Sequence, residues 1–307
     1  MIDTVRVKYP ISPDPEQLQY WIHKTTTTET GGLREYYIYN PKVTEDEISL
    51  RYTYYPFDYN YKPLLTLELS LPKLLYSNNY QMLGSMDGTI TIANLFFAHI
   101  PHAPILDLAE GVLIRLDMCY NHQVGEAVED YIRAIGNLDY PHRRTKYHRG
   151  EGVEFKAKHI TTKFYNKQRE TKMQEAFGIL RQEVTLLEPK DIQRLLGKRR
   201  PTLLDVSREL VVDYLKDDLR KLSLLDNSIA TRDTALKTLC DVHGSRAGIY
   251  YYGLVNSKMD KSRKSIASES HIHPRSLDRQ LRKIVDTGIP LTFTDREEPL
   301  PPLSIHL

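Results

Sequence analysis

Cysteine is nearly absent from this 307-residue chain: there are two, Cys119 and Cys240. They lie far apart and form no C-x-x-C pair, which argues against a disulfide framework and against a zinc site, and fits a reducing compartment. No segment approaches the roughly 18 consecutive apolar residues of a membrane span, so no membrane partner is expected. The opening stretch, MIDTVRVKYP, has no apolar run of the length a signal peptide needs, and a cytoplasmic location is expected. Net charge is also lacking: 42 Lys and Arg against 40 Asp and Glu leave +2, so any basic surface must be local. There is no G-x-x-x-x-G-K-[ST] segment, so duplex unwinding would fall to a separate helicase.

The chain is long enough for one large domain or two ordinary ones. Hydrophobic residues make up 40% and charged residues 27%, the balance of a globular protein. The first 190 residues read as α+β. Strand alternation runs through ISLRYTYY (48–55), LLTLELS (64–70), VLIRLDMCY (112–120), HITTKFYNK (159–167) and ILRQEVTL (179–186). TIANLFFAHI (91–100) and GEAVEDYIRAIG (125–136) read as helices, the first stopped by Pro101 and the second closed by Gly136. The expected fold is a mainly antiparallel sheet covered by helices on one face, with the other face open and polar. A charged segment ending in Pro201 marks a boundary. Beyond it, residues 200–290 read as a helical domain with helices over 202–225 and 231–244. Two short helices follow over 261–289, with Pro274 opening the second and Gly288 ending it. Residues 291–307 read as a proline-rich extended tail.

The outward faces of four strands carry Glu68, Asp117, Tyr165 and Glu183. If those strands share one sheet, three carboxylates and a phenol converge. Three carboxylates suit a hard cation such as Mg²⁺ or Mn²⁺. A phenol is a poor nucleophile until a neighbouring cation or base favours its deprotonation, and Lys163 and Lys167 share the Tyr165 face. The pattern reads as phosphoryl transfer on a phosphodiester. Taken singly, each residue has a plainer reading as a solvated strand charge or a packing aromatic. The histidines in HIPH (99–102), YPHRRTKYHRG (140–150) and HIH (271–273) read as loop or DNA-facing residues, since none lies on a core strand.

MIDTVRVKYP, LELSLPKLL with Glu68, IRLDMCY with Asp117, KFYNKQRE with Tyr165 and LRQEVTL with Glu183 stand in an order that resembles the filamentous-phage gene II/X replication-initiation proteins. The segment GIYYYGLVNSKMDKSRKSIASESHIHPRSLDRQLRKIVDTGIP is similar to that family's final block. Its tyrosine, RLD and R-x-E segments also resemble rolling-circle plasmid initiators. The resemblance implies an N-terminal nuclease domain (1–190) that nicks and rejoins origin DNA through a 5′-phosphotyrosyl bond to Tyr165. Lys167 and Glu170 belong to the same catalytic motif, and Glu68, Asp117 and Glu183 match the family's acidic positions, where Mg²⁺ or Mn²⁺ would bind. Lys163 and Arg181 are expected to contact DNA beside the site. Arg275, Arg279, Arg282 and Lys283, on the second helix of a helix-turn-helix-like pair, are expected to contact it elsewhere, mainly at phosphates. Implied partners are origin DNA as supercoiled duplex and as single strand, and the helicase and DNA polymerase of a bacterial host. Homodimer formation is left open. Two other readings stand beside this one: a non-catalytic origin-binding regulator, and a relaxase or transposase with the same chemistry.

Overall fold

The computed structural model describes residues 1–27, 32–41, 50–57, 62–148, 151–261 and 263–306. In chain order the elements are β1 (Ile2–Tyr9), α1 (Pro15–Leu18), β2 (Ile22–Thr27), β3 (Leu33–Tyr39), β4 (Leu50–Tyr55), β5 (Leu64–Ser70), α2 (Leu71–Tyr76), α3 (Met86–Phe97), β6 (Val112–Gln123), α4 (Val128–Gly136), β7 (Arg144–His148) and β8 (Gly152–Lys156). They continue with β9 (Ile160–Asn166), α5 (Lys167–Thr171), β10 (Ile179–Leu186), α6 (Pro189–Leu196), α7 (Arg208–Lys221), α8 (Arg232–His243), α9 (Ser245–Asp260), α10 (Arg263–Glu269) and α11 (Pro274–Val285). The ten strands form one mainly antiparallel sheet in the order β2-β3-β4-β5-β1-β6-β10-β9-β8-β7. The class is α+β, with helices gathered in the C-terminal part. Ile48 and Ser49, expected to open a strand, lie outside the described residues.

The chain divides into two compact units, residues 1–119 with 184–211 and residues 120–183 with 212–307. The division expected from composition, at residues 190–200, falls elsewhere. The charged segment there marks a change of residue type without a break in packing.

In the first unit, β1 pairs with β5 and β6, and β5 pairs with β4. Successive strand residues point to opposite faces. Val5, Val7 and Tyr9 are therefore buried while Arg6 and Lys8 are not. Leu65, Leu67 and Leu69 of β5 have no exposed surface. Helix α2 covers this face and packs on β1 and β5, with α3 against it. Proline in the first turn of α2 suits the helix start, where its missing N–H is no loss. Helix α3 begins five residues earlier than its apolar run suggests, because the Ser85 side chain accepts from Gly88 N and caps it.

In the second unit, β7, β8 and β9 pair in antiparallel fashion under α4, whose Val128, Tyr131, Ile132 and Ile135 are buried. Thr231 caps α8, and the Thr231 Oγ1 acceptor lies 3.1 Å from Thr234 N. Gly244 ends α8 at φ +80°, and α9 follows at once. The break between α10 and α11 falls where expected, with Pro274 in the first turn of α11. The proline-rich segment is extended but is not a free tail. Phe293, Leu300, Leu303 and Ile305 are buried, and Leu300 and Ile229 exchange backbone hydrogen bonds of 2.9 Å.

Candidate active site

KFYNKQRE straddles a junction. β9 ends at Asn166, and the Asn166 side chain accepts from Arg169 N at 3.1 Å, which caps α5 and turns the chain into helix at Lys167. This places Tyr165, half-buried, one residue before the end of the strand and Lys167 at the helix start. The Tyr165 hydroxyl donates to Glu183 Oε2 on β10 at 2.9 Å. Lys163 Nζ lies 4.0 Å from Glu183 Oε1, with about two-fifths of its side chain exposed. Lys167 Nζ sits 5.5 Å from the centre of the Tyr165 ring. Four of the residues singled out in the sequence are thus brought together, all within the second unit.

Lys167, expected on the open face with Tyr165, does not reach into solvent. Its side chain is 0% exposed and pairs with Glu170 Oε2 at 2.7 Å. A buried ammonium needs a partner to offset desolvation. Glu170, three residues on along the helix, supplies one. Glu170 therefore holds the Lys167 ammonium beside the Tyr165 ring.

Gly152 is a residue the sequence reading passed over. It lies opposite Tyr165 in the β8–β9 ladder. A Cβ there would fall 2.6 Å from the Phe164 carbonyl oxygen and 2.7 Å from Tyr165 Cβ. The strand that carries the tyrosine can approach β8 this closely only because residue 152 has no side chain.

Glu68 and Asp117 belong to a separate constellation in the first unit. Arg6 Nε donates to Glu68 Oε2 at 2.6 Å, and Arg115 Nη1 donates to Glu68 Oε1 at 2.8 Å. Arg115 also grips Asp117 through Nε to Oδ1 at 3.0 Å and Nη2 to Oδ2 at 2.7 Å, a bidentate pair. Asp117 is buried, not on an open face. All four carboxylate oxygens thus carry guanidinium donors. Among the described residues no group of three or more His, Cys, Asp or Glu side chains is placed to hold a metal ion. As arranged, Glu68 and Asp117 do not fit an all-carboxylate site for Mg²⁺ or Mn²⁺.

Arg181 departs from expectation. It and its neighbour Gln182 are both 0% exposed. Adjacent strand residues face opposite ways, so β10 is covered on both faces here. Arg181 donates to Asn121 Oδ1 at 3.1 Å, inside the unit and away from any DNA-accessible surface. Arg275, Arg279, Arg282 and Lys283 are all exposed on α11, while Leu277, Leu281 and Ile284 of the same helix are buried. Of the sequence-noted histidines, His102 stacks on Tyr20 with ring centres 3.5 Å apart, and His273 caps α11.

On the opposite face of β9 and β10 from Tyr165 and Glu183 runs a buried polar seam. Asp218 of α7 accepts from Tyr140 Oη at 2.6 Å, Thr162 Oγ1 at 3.0 Å and Gln182 Nε2 at 3.3 Å, with Arg143 Nη1 3.7 Å away. Gln182 Oε1 lies 3.1 Å from His122 Nε2, and His122 Nδ1 lies 3.2 Å from the Ser304 carbonyl oxygen. Burial pushes the His122 imidazole down to about 4 from an ordinary 6.5. The unfolded chain binds this proton more readily, so stability is full above pH 6.5 and falls as pH drops toward 4. The loss from this group is about 3 kcal/mol at pH 4. Urea denaturation across that range should show this slope in the wild type and a shallower one in a His122→Gln protein.

No protein-family model matches this chain, and no curated protein does. Among solved structures, the crystal structure of DynU16, described as a putative protein in the dynemicin biosynthetic locus, aligns over 60% of this chain and 86% of that one. The identity is 13% and the TM-score 0.14, a likeness too slight to bear on fold or function. No helix among the described residues is long and apolar enough to cross a membrane.

Proposed function

We propose that this protein nicks and rejoins one DNA strand at a replication origin and so initiates rolling-circle replication, with Tyr165 as the nucleophile. The observation that carries the reading is the 2.9 Å hydrogen bond from the Tyr165 hydroxyl to Glu183, above the buried Lys167 ammonium. A nucleophile within hydrogen-bond reach of a base, with a positioned third group beside it, is the arrangement that activates a poor nucleophile. The order of acidic and tyrosine motifs shared with the gene II/X proteins supports the same reading.

The Tyr165 oxygen attacks the scissile phosphorus while Glu183 takes its proton. The bond from phosphorus to the 3′ oxygen breaks; that oxygen takes a proton from water to leave as a 3′-hydroxyl, and Glu183 returns the phenol's proton to solvent. One P–O bond replaces another, so the phosphotyrosine retains the energy needed for rejoining. Attack by a 3′-hydroxyl reverses the step. Lys167 favours the developing phenolate, and the partly exposed Lys163 is placed to meet a non-bridging phosphate oxygen. The exposed cations of α11 supply further phosphate contacts and salt-dependent affinity.

The test is incubation with a supercoiled plasmid carrying the origin of the protein's own replicon, with and without Mg²⁺ or Mn²⁺. Nicked circles bearing protein on the 5′ end are the expected product. Tight origin binding without cleavage under every ionic condition would favour the non-catalytic regulator instead. A Gly152→Ala protein should bind the plasmid normally but cut it up to about 10²-fold more slowly, because the added methyl displaces the strand that carries Tyr165.

A further inference from the structure

The polar face of the first unit's sheet holds a concentration of charge that the net +2 of the chain conceals. Residues opposite each other in a strand ladder share a face. Arg115, Arg6, Glu68 and Arg51 form one such row across β6, β1, β5 and β4. Lys8 faces Thr66, and Lys24 faces Tyr36 in the β2–β3 hairpin. With Arg34, two residues before Tyr36, this face carries six cations. Among the described residues its carboxylates are Glu68 and Asp117, so six minus two leaves +4.

Arg6 and Arg115 are engaged with those two carboxylates. Lys8, Lys24 and Arg51 make no ion pair among the described residues, and Lys24 and Arg51 are exposed. Aromatic rings are interleaved with the charges. The Tyr36 and Tyr55 ring centres are 5.7 Å apart, and the Arg34 guanidinium carbon lies 4.1 Å from the Tyr55 ring centre. Neither tyrosine is buried. Phenol rings and a guanidinium plane are the surfaces on which unpaired bases stack, and cations spaced along a sheet track a phosphate backbone.

We propose that this face is a binding platform for single-stranded DNA, with bases stacking at Tyr36, Arg34 and Tyr55 and phosphates on Lys8, Lys24 and Arg51. The platform does not depend on Tyr165 and would act whether or not the protein cuts DNA. Duplex DNA fits less well, because its bases are already stacked and cannot reach the rings. A charge-only surface, such as one for anionic lipid, has no use for the tyrosines.

The test is fluorescence anisotropy of a labelled 15-residue oligo-dT with the full-length Tyr165→Phe protein, so that cleavage cannot intervene. Tyr36→Ala combined with Tyr55→Ala should weaken binding about tenfold or more, while the matched Tyr→Phe pair should retain it. Lys8→Gln, Lys24→Gln and Arg51→Gln together should weaken it roughly tenfold or more. They should also make the slope of log affinity against log salt shallower by about 2. Circular dichroism confirms that each variant is folded. Equal binding by wild type and both variant sets would overturn the proposal. So would equal competition from duplex DNA or from anionic phosphatidylserine vesicles, or sensitivity to the charge changes alone. An oligo-U arm separates the sources: tighter binding of RNA than DNA would also overturn it.

Discussion

A Tyr165→Phe protein should bind its origin plasmid like the wild type and produce no nicked circles. The substitution removes one oxygen, and the ring keeps its place over Lys167. The lost hydrogen bond to Glu183 is part-buried and costs stability by only about 1 kcal/mol. Cleavage, by contrast, loses its attacking atom. Glu183→Gln separates nucleophile from base. The amide still accepts a hydrogen bond from the phenol but cannot take its proton, and the rate should fall about 10²- to 10⁴-fold. That variant should recover in part as pH rises toward the phenol's own titration, which Tyr165→Phe cannot do. Gel analysis of supercoiled plasmid over a pH series checks both.

Asp218→Ala is expected to have the largest effect on stability, about 3–5 kcal/mol. Burial pushes the Asp218 carboxyl up, against the Tyr140 hydroxyl, the Arg143 guanidinium, Thr162 and Gln182, which all hold it down. Burial prevails, so these partners offset only part of the cost of enclosing the acid. Deleting the carboxylate takes the acceptor from the Tyr140 and Thr162 hydroxyls and the nearby charge from Arg143, while Gln182 keeps its bond to the Leu215 carbonyl oxygen. Asp218→Asn keeps one acceptor oxygen and should cost roughly half as much. Urea midpoints at pH 7 measure both. Because Thr162 and Gln182 stand on β9 and β10, the alanine protein should lose cleavage at temperatures below its unfolding midpoint.

Much of the fold could be read from alternation where one sheet face is buried. In β5 the alternating Leu65, Leu67 and Leu69 are buried, and a slip by one would turn them outward, whereas in β10 every residue but Glu183 is buried. β2 left no such trace, because all six of its residues are exposed. α9 was missed because Gly244 looked like a terminus and GIYYYGLVN carries three consecutive tyrosines, which show no helical period. At the site, the pairing of Tyr165 with Glu183 followed from shared outward faces. The Lys167–Glu170 contact was visible as an i, i+3 spacing once α5 began at residue 167. What alternation could not show is how much lies over each face. Arg181 has the outward register of Glu183 yet is sealed from solvent, and Asp117 is buried under the grip of Arg115. Partner choice was equally hidden. The row that pairs Arg6 and Arg115 with Glu68 joins residues 62 and 47 positions apart in the chain.

The central claim is that Tyr165 becomes covalently joined to DNA. The most direct measurement is to trap the protein–DNA product from a cleavage reaction, digest both components, and locate the attached nucleotide by mass spectrometry. A phosphonucleotide on Tyr165, in the tryptic peptide Phe164–Lys167, is the predicted result. An adduct on any other residue, or efficient nicking with none, would contradict it.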